Sequence, residues 1–133
     1  MMKNLICLMI LMTMGFSLGA KADDGDQKLT FICHKGLHYT KAEVTYAFKA
    51  YLDEPRPVDN RPLFASMLKT IGYSQERYEK MWSKMFFRRA LFIPKMMDGD
   101  AGVINWVSHN YGGVGYVKTA PTNNPNVEIC GVE

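Results

Sequence analysis

Two cysteines bracket most of this chain, Cys33 near one end and Cys130 near the other. A fold must either bring these distant positions together or leave two thiols packed apart, and no other residue pair restricts it as much. In an oxidising compartment an even pair reads as a disulfide. Closing a loop of nearly the whole domain adds about 4–5 kcal/mol in the chain-entropy description. Two alternatives stand beside the bridge: two free thiols that merely pack, or a metal site drawn from Cys33, His34 and His38. Two histidines four apart share a ligand face only on a helix, and Gly36 between them signals a turn. No metal or other cofactor is therefore expected.

The compartment follows from the N-terminus. Lys3 supplies a short positive region, and the run from Leu5 to Ala20 is almost wholly apolar before Ala20-Lys21-Ala22. Small residues at −3 and −1 suit a signal peptidase, so cleavage is expected after Ala22. An uncleaved anchor would need ~20 apolar residues to cross a bilayer. Cys7 lies too early, and without the preceding small residue, for a lipidation site. The expected division is a signal peptide at 1–22 and a single domain at 23–133, periplasmic or secreted, with no membrane attachment after cleavage.

The whole chain carries a formal charge of +3, and cleavage removes Lys3 and Lys21, leaving the domain near balance. Such a balance gives no electrostatic argument for nucleic acid, no basic stripe or interleaving of basic with aromatic residues is read along the chain, and no nucleic-acid partner is expected.

Local signals divide the domain. Lys28 to Cys33 reads as a first strand, broken by Gly36. Thr40-Lys41-Ala42-Glu43 has the form of a capping box, followed by Val44, Ala47, Phe48 and Tyr51 at helical spacing. Pro55 and Pro57 end that helix. Asp59-Asn60-Arg61-Pro62 reads as the start of a second, with Leu63, Phe64, Met67, Leu68 and Ile71 apolar and Gly72 as its stop. Ser74 caps a third, with Glu76 in its first turn. The stripe Tyr78, Met81, Trp82, Met85 and Phe86 reads as core. After Pro94, Asp98-Gly99-Asp100 reads as the cap of a fourth helix bearing Val103, Ile104 and Val107. Val114 to Val117 and Val127 to Val132 read as closing strands, with a polar turn from Pro121 to Pro125 between them. The predicted order is strand, four helices, strand, strand. Amphipathic helices need a sheet or one another to bury against, which points to an α/β architecture, a small sheet packed with about four helices.

These segments, in order, resemble the small single-lobe relatives of the phosphate-type substrate-binding proteins of ABC transporters, a type II periplasmic-binding-protein-like fold. Gly112-Gly113-Val114-Gly115-Tyr116-Val117 resembles the family's P-G-A-I-G-Y-V. Arg61-x-x-Phe64, the Gly-x-Ser break and Tyr78-x-x-x-Trp82-x-x-x-Phe86 form a second match. The early strand with Thr40-Lys41-Ala42-Glu43-Val44 and Phe48 forms a third, and the likeness spans about residues 28–132. It implies an exported, non-enzymatic protein that binds phosphate or another small oxyanion, with a transporter or envelope protein as partner. It also departs from the family. Where phosphate binders have an R-x-D-x-S-G-T-like loop wrapping the anion, this chain has Pro57-Val58-Asp59-Asn60-Arg61-Pro62. That stretch lacks Ser-Gly-Thr, and Pro62 removes a backbone donor. A single lobe also cannot close over a ligand, which leaves weak binding, a homodimer, or an interaction module that kept the fold and lost the ligand.

The candidate ligand-binding residues are Arg61, Asn60 and Thr40. Arg61 begins a helix, where an oxyanion would meet a guanidinium and free N–H groups. Its plain alternative is a solvated arginine near Asp59. Asn60 and Thr40 are more simply helix caps. Arg88-Arg89 is the only adjacent basic pair and reads as part of a solvated loop. For catalysis the sequence offers no nucleophile elbow, and His34, His38 and His109 sit in no motif.

Overall fold

The computed structural model describes residues 25–132, so the expected signal peptide and its cut after Ala22 lie outside the described residues. The β-rich run becomes strand β1, Thr30–His34, with Phe31 and Cys33 entering one buried apolar cluster and Ile32 another. This alternation of period two lets one strand serve two layers. Strand β5, Gly113–Val117, runs antiparallel to β1, with Thr30 opposite Val117 and Cys33 opposite Val114. Strand β6, Val127–Ile129, lies antiparallel on the other side of β1. The short β2, Arg56–Pro57, pairs parallel with β5, giving the order β2-β5-β1-β6. A second, two-stranded parallel sheet joins β3, Asp59–Asn60, to β4, Met96–Met97.

Helix α1, Lys41–Phe48, starts from the predicted capping box. The Thr40 hydroxyl accepts from the Glu43 amide at 3.1 Å, and the Glu43 carboxylate accepts from the Thr40 amide at 2.8 Å. Tyr51 falls beyond its end and is exposed. A 3₁₀ turn, Arg61–Leu63, leads into α2, Phe64–Ile71, which stops at a left-handed Gly72. Ser74 caps α3, Gln75–Arg89, through the Arg77 amide at 3.1 Å. Helix α4, Asp100–Ser108, follows the small sheet.

Helices α1 to α3 cover one face of the main sheet with Val44, Phe48, Met67, Ile71 and Trp82, packed on Phe31, Val114 and Tyr116. Helix α4 covers the other face, where Val103 and Val107 meet Ile32, Val58, Val117 and Val127. β5 is buried at every position, as a strand covered on both faces must be. Its Gly115 allows the closest approach. A Cβ there would lie 2.5 Å from Val103 Cγ1 and 2.9 Å from Val58 Cγ1. The chain is thus α/β, a small mixed sheet with four helices.

Cys33 and Cys130 form a disulfide with their Cα atoms 5.8 Å apart, tying β1 to the residue after β6. Of the alternatives left by the sequence, the bridge is the one formed.

The predicted order needs correction in three places. Strands β2, β3 and β4 were not foreseen, because two-residue strands carry no periodicity. Asp59-Asn60 is strand rather than the start of a helix, and the 3₁₀ turn begins only at Arg61. The stripe of α3 is buried at Tyr78 and Trp82, whereas Phe86 is 44% exposed.

Candidate functional site

The segment between β2 and α2 gathers most of the buried polar chemistry. β3 turns Asp59 into the interior, where it is 2% exposed. Its Oδ1 accepts from the Tyr116 hydroxyl at 2.8 Å and its Oδ2 from the Tyr78 hydroxyl at 2.9 Å. No cation joins the group among the described residues. Burial pushes the carboxyl up from 3.8 to about 6, and the two tyrosine hydrogen bonds oppose that rise. Both phenols are pushed upward in turn, first by burial and then by the Asp59 charge. Tyr78 and Tyr116 are as enclosed as Asp59, so a dissolved substrate does not reach this group. Its role is to tie β3, α3 and β5 together.

Asn60, the next residue, is fully buried. Its Nδ2 donates to Asp100 Oδ1 and to the Tyr116 carbonyl, each at 3.0 Å, and its Oδ1 has no partner among the described residues. Asp100 opens α4 and accepts further. The Lys118 amide donates to its two oxygens at 3.1 and 3.0 Å, and the Thr119 amide donates to Oδ2 at 3.0 Å. Two backbone N–H groups and a side-chain amide therefore converge on one carboxylate in the first turn of α4. That is the donor set of an anion site, with the anion supplied by the chain itself. The sequence reading of Asp98 and Asp100 as helix caps is corrected here. Gly99 stands at the N-cap with no side-chain cap bond, and Asp98 pairs with Arg61.

The three predicted ligand residues have separate fates. Arg61 Nε donates to Asp98 Oδ1 at 2.7 Å, and both side chains are well exposed, 64% and 81%. Its partner is thus Asp98, not the neighbouring Asp59. Asn60 faces inward and makes no cap bond to the 3₁₀ turn. Thr40 spends its hydroxyl on the Glu43 amide at the start of α1. Among the described residues no three His, Cys, Asp or Glu side chains come together as a metal site.

An open cleft of about 370 Å³ lies beside β2, lined by Pro55, Pro57, Leu91, Phe92, Pro94 and Trp106, with Asp53, Arg56 and Lys95 among its polar groups. Its outer wall is the segment that follows α3. Arg88 and Arg89 lie in the last turn of that helix rather than in a loop, and Ala90 ends it in the left-handed region at φ 56°. The Leu91 amide then bonds back to the Met85 carbonyl at 3.4 Å. Arg89 is committed to the Ala50 carbonyl at 3.0 Å and to Asp53. Around this helix end Phe87 is 83% exposed, Phe92 77% and Ile93 50%.

Sequence reasoning missed the Asp59–Tyr78–Tyr116 group, because its members come from three separate elements and share no spacing. It also missed the helix end, where a signal existed. From Lys80 to Met97 the chain has five basic residues and no acidic one, interrupted by Phe86, Phe87 and Phe92. Basic and aromatic residues do interleave there, which corrects the reading that none do.

Comparison with protein families, with curated proteins and with solved structures returns no match for this chain.

Proposed function

We propose that this chain is an exported, non-catalytic binding domain of the phosphate-type substrate-binding kind. In this reading the lobe is retained, enclosure of a free oxyanion has been lost, and the domain works by interaction in the cell envelope. The observation that carries it is Asp100. A carboxylate already accepts from the Asn60 side chain and from the Lys118 and Thr119 amides at the start of α4. A dissolved phosphate would have to displace a tethered anion of the same charge sign, whose effective concentration is far higher. Arg61 adds to the argument, since its guanidinium already meets Asp98, and a second anion there would face that carboxylate's repulsion.

Thermal unfolding of the oxidised domain with millimolar phosphate or sulfate tests this. A ligand at 100 times its dissociation constant adds ~2.7 kcal/mol, several degrees for a domain of this size. No shift is expected for the native sequence, whereas Asp100→Ser, with the internal anion removed, gains a shift with oxyanions. A phosphate-specific shift in the native protein that is lost in Arg61→Ala overturns the reading and restores oxyanion capture at the 3₁₀ turn.

A further inference from the structure

The end of α3 and the segment after it carry four of the exposed large apolar side chains. Phe86 and Phe87, their rings 5.4 Å apart, stand on the last turns of the helix, and Phe92 and Ile93 follow the left-handed turn at Ala90. These four large apolar side chains lie within eight residues, and each is between 44% and 83% exposed. Five cations occur between Lys80 and Met97 with no acidic residue among them. Two are held within the protein, Lys80 by Glu76 at 3.3 Å and Arg89 by Asp53. Lys84, Arg88 and Lys95 remain exposed in the same stretch of chain as the aromatic side chains.

We propose that this surface rests on an anionic phospholipid bilayer, with Phe87 and Phe92 entering the headgroup boundary and Lys84, Arg88 and Lys95 meeting the lipid phosphates. This names the partner for the envelope role proposed above and rests on the domain being exported. Charge selects the occupant. A second copy docked face to face would set the same cations against one another, because a two-fold contact opposes a patch to itself. A bilayer takes projecting aromatic side chains without a complementary hollow, and its anionic headgroups draw basic residues. No described helix is long and apolar enough to cross a membrane, so the contact is with the surface. This proposal departs from the expectation of no membrane attachment after cleavage.

The described residues bury their own core and close with their own disulfide, so the test uses oxidised protein beginning at residue 23. Flotation with phosphatidylglycerol–phosphatidylcholine vesicles is compared with flotation on phosphatidylcholine alone. Binding is expected only with the anionic lipid and should fall as salt rises. The double substitution Phe87→Ser with Phe92→Ser, at exposed positions, should weaken it by more than about tenfold while unfolding at the native temperature. Lys84→Gln with Arg88→Gln should weaken binding and flatten its salt dependence. Absence of binding at low salt overturns the proposal, as does equal binding to both vesicles or an unchanged serine variant. Self-association that the serine variant abolishes, without vesicle binding, assigns the surface to a second copy and also overturns it. The oxyanion test reads Asp100 and Arg61, so the two readings can fail separately.

Discussion

Replacing Asp59 with asparagine probes the least comfortable group in the interior. In the folded chain this carboxyl holds its proton up to about pH 6, against 3.8 when solvated. At about 1.4 kcal/mol per unit, that difference corresponds to about 3 kcal/mol of stability. The folded pKa is the raised one, so the contribution is fully present below pH 4 and is lost as pH climbs through 6. About 2 kcal/mol of the loss falls between pH 4.5 and pH 7.5. The asparagine amide would accept from one tyrosine hydroxyl and donate to the other's oxygen, which keeps a neutral network of the same shape. Urea unfolding of the oxidised native protein and of Asp59→Asn across that range isolates the effect, since all other titrating groups are shared. Relative to the native chain, the variant should gain about 2 kcal/mol from pH 4.5 to 7.5, read as a shift in the urea midpoint. A stability difference that stays constant with pH would show that Asp59 titrates normally and would refute the reasoning.

Two further outcomes follow from close contacts and backbone shape. Gly115→Ala forces a methyl group against Val103 and Val58 between β5 and α4, where neither a buried strand nor a packed helix can yield. A loss of about 1–3 kcal/mol in chemical unfolding is expected, and an unchanged midpoint would mean that α4 sits further from the sheet. Ala90→Gly relieves an alanine held at φ 56° on an exposed helix end. It should raise stability by about 1 kcal/mol in the same assay, and a loss would contradict the left-handed geometry.

What the sequence disclosed is what local chemistry encodes. Thr40 and Glu43 announce α1 because a capping box is a contact between near neighbours, and Ser74 and Gly72 mark helix boundaries for the same reason. The Cys33–Cys130 bridge could be anticipated from the cysteines left after the expected cleavage and the compartment that cleavage implies. Asp59-Asn60 misled for a physical reason: an acidic residue and an asparagine before Arg-Pro are good helix-start residues, and only the pairing of Asp59 with Met96 makes them a strand. The candidate site was legible only as residue types. Asn60 was singled out, yet its inward turn depends on Asp100 and on the Tyr116 carbonyl, both remote in sequence. Arg61 was singled out as well, and its partner Asp98 was assigned to the cap of a different helix.

The pairing of β1 also bears on when this molecule can acquire its shape. β1 is the first of the described strands, yet both its neighbours, β5 and β6, are the last. Residue 30 waits for residue 117, and Cys33 waits for Cys130. During synthesis the early segments can form helices, but no sheet exists for them to pack against until nearly the whole chain has emerged. Pairing at such separations is slow. A polypeptide ordered in this way stays without its sheet through most of its elongation, and the Cys33–Cys130 bridge can close only once β6 has been made.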